Sequence, residues 1–150
     1  MDKLDDQACL FCRIASGHVP SHIVYETDQV LAFLDINPIR TGHVQVIPRQ
    51  HYPYFDAIPT EVAAGILTVG QKLAPVLRRL FAVKRVAFLF TGGDIAHAHA
   101  VPLVEATDIT SRQYIVEANV TFQNAPRVSE SQLATTGEAI KLGLTDASPT

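Results

Sequence analysis

One long helical pattern lies between groups of short strand patterns, and this arrangement most constrains the fold. Between residues 60 and 80, apolar side chains recur at the three- and four-residue steps of one helix face. They are Val62, Ile66, Val69, Leu73, Leu77 and Leu80. Thr60 is expected to cap this helix, and Pro75 is expected to kink or shorten it.

Strand patterns flank this helix on both sides. They cover His22–Tyr25, Val30–Leu34, residues 42–48, residues 85–91 and the stretch DIAHAHAV at 94–101. Turn-prone residues separate them. A short helix is predicted from Ser111 and a last one from Ser129 to Leu144. The order predicts an α+β fold with a mostly antiparallel sheet and one main helix.

Length and charge limit the classes of protein to consider. The chain has 150 residues, 47% of them hydrophobic, which suits one domain over 1–150. A net charge of −3 favours neither a nucleic-acid nor a membrane partner. Because no segment has the pattern of a membrane span or a signal peptide, a cytoplasmic location is expected.

Two cysteines, Cys9 and Cys12, form a Cys-x-x-Cys pair. In a reducing compartment such a pair indicates metal binding or redox chemistry rather than a structural disulfide. With His51 after the third strand and His97 at the fifth, the pair completes a Cys₂His₂ set, which suits a closed, structural Zn²⁺ site. In the alternative interpretation the cysteines are small buried hydrophobic residues and His51 is merely exposed.

His97 and His99 alternate in the fifth strand pattern, so both imidazoles are expected on one face, roughly 7 Å apart. If His97 binds zinc, His99 is a spare imidazole suited to nucleophilic or general-base chemistry. A core histidine bonded to a backbone carbonyl is the alternative.

Three blocks of sequence resemble the histidine-triad superfamily, whose members are hydrolases and transferases acting on nucleoside phosphates. The blocks are CLFCRIASGHVPSHIVYE, VLAFLDINPIRTGHVQVIPRQHY and GGDIAHAHAVPL. The resemblance implies a five-stranded antiparallel sheet with a long helix, and a homodimer whose sheets run on into each other. Beyond the resemblance, residues 105–150 are expected to form a C-terminal extension that packs near the dimer pocket.

The resemblance also implies roles for individual residues. His99 is the nucleophile that forms a covalent nucleotidyl intermediate, His43 orients it, and Asp35 binds the ribose. The zinc ligands are again Cys9, Cys12, His51 and His97, and the apolar walls around the base are Leu10, Phe11, Ile14, Phe33 and Ile36. A strand histidine satisfied by backbone is the alternative for His43, and an Asx-turn cap is the alternative for Asp35.

The third histidine of the triad is missing, because Val101 occupies its place. A two-residue deletion leaves a second register open, in which Ile95, His97 and His99 are the triad positions and His97 is the nucleophile. The first register is preferred because GGDIAH matches the family's approach to its first histidine. It also keeps the fourth zinc ligand.

The expected function is hydrolysis or nucleotidyl transfer at the α-phosphate of nucleoside phosphate derivatives, with a purine nucleoside phosphate or related nucleotide as ligand. Losing one preorganised donor costs roughly 10²–10³ in rate. Since Val101 removes such a donor, the alternative is a zinc-stabilised nucleotide-binding dimer with little or no catalysis.

Overall fold

The computed structural model describes residues 9–91, 97–103, 115–116, 121–122 and 126–146. Three α-helices, a 3₁₀ helix at Phe55–Ala57 and seven strands occur in these ranges. The helices are α1 (Leu10–Ala15), α2 (Thr60–Phe81) and α3 (Glu130–Asp146). The strands are β1 (Ile23–Glu26), β2 (Val30–Leu34), β3 (Val44–Pro48), β4 (Arg85–Thr91), β5 (His97–Leu103), β6 (Ile115–Val116) and β7 (Thr121–Phe122).

The first five strands form one sheet in the order β1-β2-β3-β5-β4, with every neighbouring pair antiparallel. This confirms the predicted five-stranded antiparallel sheet with one long helix. The bounds of β2 and β4 agree with the prediction, whereas β1 begins one residue late and β3 begins at Val44 rather than at 42. The predicted start of the fifth strand, at 94–96, lies outside the described residues.

Helices cover both faces of the sheet. The larger core forms where α2 packs on one face, and it includes Ala32, Val46 and Ala98 from the strands. The smaller core lies on the other face, where Ile14 of α1 contacts a cluster with Leu31, Phe33 and Ile47. Because side chains alternate across a strand, residues next to each other in β2 and β3 contribute to different cores.

The expected cap of α2 was wrong, and the helix is not shortened at Pro75. Pro59 takes the N-cap position without a side-chain hydrogen bond, and Thr60 is the first helical residue. The helix continues unbroken past Pro75, whose ring is exposed. Completely buried neighbours such as Leu73 and Leu77 offset the lost amide hydrogen bond.

Gly42 ends the turn before β3 with a φ of +94°, which favours glycine. An added Cβ there would lie 2.3 Å from Cε2 of Phe81, at the end of α2. The turn therefore approaches α2 at a distance that only glycine allows, and it leads directly into His43.

The last helix, α3, confirms the prediction for residues 129–144 closely. It packs on α2, where a Cβ at Gly143 would lie 2.6 Å from Cγ1 of Val76. Just before it, the Val128 amide donates to the carbonyl of Ile36 at 3.1 Å. The C-terminal segment is thus held beside the end of β2.

The helix predicted from Ser111 falls mostly outside the described residues, although Ile115–Val116 are extended and pair with Thr121–Phe122. None of the helices in the described ranges is long and apolar enough to cross a membrane.

Candidate functional site

Cys9 and Cys12 lie at the start of α1, where their spacing brings both thiols to one end of the helix. Cys9 is the N-cap, and its Sγ accepts a hydrogen bond from the Cys12 amide at 3.2 Å. His51 follows β3, and its Nδ1 lies 3.4 Å from Cys12 Sγ. One ligand atom from each of these three residues lies within 4.8 Å of the other two.

The chemistry of these donors fits a transition metal. Two thiols and an imidazole are the ligands that Zn²⁺ prefers. Cys9 is buried, whereas Cys12 and His51 are half-buried, so the group lies just below the surface. Since α1 packs against β2 and β3, the smaller core places the cysteines beside the end of β3.

His97, the fourth predicted ligand, is not part of this group among the described residues. Its Nε2 lies 3.1 Å from Thr91 Oγ1, across the pair formed by β4 and β5. Its ring meets Phe11 edge-on, with the centroids 5.0 Å apart. Three of the four predicted ligands therefore come together, and His97 contacts Thr91 and Phe11 of α1.

His43 is completely buried at the start of β3. Its Nδ1 accepts the Ile39 amide proton at 3.2 Å, so the ring proton of the neutral form resides on Nε2. That nitrogen lies 3.6 Å from Asp35 Oδ2. Burial lowers the pKa of His43; the Asp35 carboxylate partly opposes this, and His97 lowers the pKa further.

This lowered pKa predicts acid sensitivity. Below pH 6.5, the ordinary value, the unfolded chain binds a proton at His43 that the folded chain resists. The free energy of unfolding therefore falls as the pH falls, with a limiting slope of about 1.4 kcal/mol per pH unit. Urea unfolding at pH 7.5 and 5.5 measures this loss, which should be smaller in His43→Gln.

His18→Gln is the matched control, because His18 is an exposed histidine. It should keep the wild-type pH dependence. Equal pH dependence in wild type and His43→Gln would contradict the assignment of this loss to His43.

The contacts of Asp35 confirm the alternative interpretation, in which its side chain caps an Asx turn. Its Oδ1 accepts the Asn37 amide at 2.8 Å, and its Oδ2 accepts the side-chain amide of Gln45 at 3.0 Å. The Asp35 side chain is 13% exposed. Direct ribose binding by this carboxylate stays a prediction, and both of its oxygens already have partners.

A cleft of about 480 Å³ lies between α1, the end of β2 and the segment before α3. All five predicted apolar wall residues line it: Leu10, Phe11, Ile14, Phe33 and Ile36. Leu10 and Ile36 are 55% and 42% exposed, which is unusual for large apolar side chains and typical of binding surfaces. Asp35 lines a neighbouring cavity of about 300 Å³ together with His43.

Sequence reasoning missed five polar residues of the cleft: Ser21, His22, Gln45, Arg127 and Glu130. Glu130 Oε2 lies 2.8 Å from His22 Nε2, so α3 and the segment before β1 close one side. Gln45 could have been identified from the sequence, because it is the polar residue of an otherwise apolar strand pattern. No sequence pattern identifies Arg127 and Glu130, since only tertiary packing brings them to the cleft.

The backbone of His99 lies opposite Gln45 in β3 and Leu89 in β4. The direction of its imidazole falls outside what the structure describes, and so does Ile95. Val101 is completely buried opposite Ala87. His97 as the fourth zinc ligand, and with it the zinc argument for the first register, stays a prediction.

Comparison with known proteins gives a consistent result. The chain is 43% identical to an uncharacterized HIT-like protein of Methanocaldococcus jannaschii over 72 residues, which are 48% of this chain and 56% of the relative. It is 41% identical to the adenosine 5'-monophosphoramidase of Candida albicans over 71 residues, 47% of each protein. The aligned part thus spans about half the length of these curated relatives.

A solved structure covers nearly the whole chain. The zinc-bound histidine triad family protein of Mycobacterium smegmatis matches with a TM-score of 0.73 and 25% identity, over 93% of this chain and 95% of that one. The family profile of the HIT domain matches residues 16–106. Since this match covers more than half of the sequence, the chain belongs to the HIT domain family.

Proposed function

We propose that the protein is a nucleotide-binding hydrolase that cleaves nucleoside phosphate derivatives at the α-phosphorus. The observation that carries this proposal is the cleft whose walls are the five apolar residues predicted to hold a base. Phe11 and Phe33 meet edge-to-face, with their centroids 5.9 Å apart, so the wall is fixed by packing. The adenosine 5'-monophosphoramidase relatives support the same ligand class.

The reacting histidine is on β5. His99 as nucleophile stays a prediction, whereas the described contacts of His97 favour the second register. His97 touches Phe11, a wall of the cleft, and it acts electrostatically on the buried His43. Among the described side chains, the His97 imidazole therefore stands beside the cleft wall formed by Phe11.

The reaction balances in two steps. An imidazole nitrogen of the nucleophile attacks the α-phosphorus, an N–P bond forms, and the leaving group departs with the electrons of its bond and takes up a proton. Water then attacks the same phosphorus, breaks the N–P bond and releases the nucleoside monophosphate. The neutral state of His43 is consistent with a role as orienting residue, because it adds no positive charge that competes with the developing imidazolium.

Cys9, Cys12 and His51 would hold a structural Zn²⁺, whose role is to tie α1 to the segment after β3. The zinc-bound relative supports this assignment. His97 as the fourth ligand stays a prediction without support from the described geometry. A homodimer and a cytoplasmic location also stay predictions, as does the single domain with its C-terminal extension.

The test is incubation with adenosine 5'-monophosphoramidate, followed by quenching in alkali to preserve a histidine–phosphorus bond. We expect release of adenosine 5'-monophosphate and an adenylyl group on a peptide that contains His97 and His99, seen by mass spectrometry. His18→Gln should behave like the wild type. Binding of the product without turnover or adduct would favour the non-catalytic dimer. Absence of binding would contradict the whole proposal.

A further inference from the structure

The C-terminal segment brings a carboxylate to the cleft. Glu130, the first residue of α3, lines the cleft together with Arg127, and both lie outside residues 16–106, which the HIT domain profile matches. Among the described residues, Glu130 is the only carboxylate in the lining of this cleft. The polar side of the cleft is therefore built in part by a segment that lies beyond the matched domain.

Two side chains hold the Glu130 carboxylate, although the Glu130 side chain is 70% exposed. Its Oε2 lies 2.8 Å from His22 Nε2, and because an ionised carboxylate only accepts, the imidazole donates this hydrogen bond. Its Oε1 lies 3.8 Å from Arg127 Nη2, which is beyond hydrogen-bond distance. Oε1 therefore retains capacity to accept a hydrogen bond from a ligand.

The lining of the cleft follows one row of residues across the sheet. In this row Ile23 of β1 pairs with Phe33 of β2, Phe33 pairs with Gln45 of β3, and Gln45 pairs with His99 of β5. Phe33 and Gln45 line the cleft, and so does His22, which directly precedes Ile23. Three strand spacings, about 14 Å, separate the two ends of the row. Glu130 thus lies at the β1 end, and the histidines of β5 lie at the other.

This separation sets the direction of a nucleotide in the cleft. In the proposed function the α-phosphorus lies at the reacting histidine of β5, so the base extends across the apolar walls toward β1. The negative charge of Glu130 also disfavours a phosphate at the β1 end. A purine is attached to its sugar through the five-membered ring. The edge of the six-membered ring is therefore the part of the ligand that reaches Glu130.

Apolar walls contact the flat faces of any base, whereas polar groups placed at the edge distinguish one base from another. A carboxylate oxygen can only accept, so it favours an edge that carries an N–H group. We infer that Glu130 Oε1 accepts a hydrogen bond from an amino group on the six-membered ring of the purine, as adenine carries. This inference rests on the proposed function and makes Glu130 the residue that selects aminopurine nucleotides within that ligand class.

The experiment measures the Kd of adenosine 5'-monophosphate and of purine riboside 5'-monophosphate, which lacks the amino group, by calorimetry. Both nucleotides carry the same phosphate charge, so the ratio of their Kd values reports on the edge of the base alone. Wild-type protein should bind adenosine 5'-monophosphate about fivefold more tightly. In Glu130→Ala this ratio should fall to about one.

Glu138→Ala is the matched control. Glu138 is a glutamate of the same helix, its side chain is 69% exposed, and it pairs with Lys141 rather than lining the cleft. This variant should keep the wild-type ratio. Urea unfolding of both variants should give the same free energy of unfolding within about 0.5 kcal/mol, because each removes an exposed side chain.

The possible results separate the inference from the proposed function. If Glu130→Ala keeps the wild-type ratio, another group binds the amine and the inference is wrong. If the wild type binds both nucleotides equally, the inference is also wrong, while nucleotide binding stands. If the wild type binds neither of them, the proposed function fails and the inference fails with it.

Discussion

Cys12→Ala is expected to lose the bound zinc and to lower the free energy of unfolding by on the order of 4 kcal/mol or more. The reason is that Cys12 supplies one of the two thiols of the group, and its Sγ lies 3.4 Å from His51 Nδ1. Without it, two ligands remain to hold α1 to the segment after β3. Metal analysis of protein purified without added zinc, together with urea unfolding, measures both effects.

Two variants make this result specific. Ser16→Ala changes an exposed residue at the end of the same helix and should keep one zinc per chain. His97→Ala should also keep its zinc if the second register holds, because His97 is then the nucleophile and not a metal ligand. Loss of zinc in His97→Ala would restore His97 as the fourth ligand and, with it, the first register.

His97→Ala is expected to lower turnover of adenosine 5'-monophosphoramidate by roughly 10⁴-fold or more and to abolish the histidine adduct, as removal of a nucleophile does. His99→Ala should lose roughly 10²–10³, the effect of removing one preorganised donor to the phosphoryl group, and should still form an adduct. Single-turnover kinetics with an alkaline quench measures turnover and adduct formation in both variants and so distinguishes their effects.

The opposite result for these two variants would support the first register. If His99→Ala forms no adduct while His97→Ala retains adduct formation, His99 is the nucleophile. Val101→His then becomes informative, because that register makes Val101 the substitute for a phosphate donor. Since Val101 is completely buried, the variant has to be compared with the wild type for stability before its rates are interpreted.

The strands and the long helix could be predicted because their signals are local. The short apolar runs over Val30–Leu34 and Arg85–Thr91 are bounded by turn residues, and the bounds agree with the structure. The six-residue helix α1 was missed, because it is too short for a periodic pattern and its N-cap is a cysteine. Pro75 was misjudged since the rule for proline concerns local hydrogen bonds and takes no account of packing.

The residues of the candidate site could be predicted where their position follows from the order of the strands. They could be predicted less well where their contacts depend on the direction in which a side chain points. The five predicted wall residues line one cleft, because the sequence blocks that carry the resemblance include all of α1 and all of β2. His97 did not join the cysteines, although the count of four ligands made it attractive. Asp35 was expected at a sugar and is engaged by Asn37 and Gln45, contacts that require β2 and β3 to be placed side by side.

Helix α1 carries metal ligands and cleft walls within a single stretch of seven residues. Cys9 and Cys12 face His51, while Leu10, Phe11 and Ile14 line the cleft. A helix of this length does not persist by its own hydrogen bonds. In the proposed function, metal and nucleotide bind to this one element, so any affinity for nucleotide that the protein gains when zinc is bound must be gained equally for zinc when nucleotide is bound.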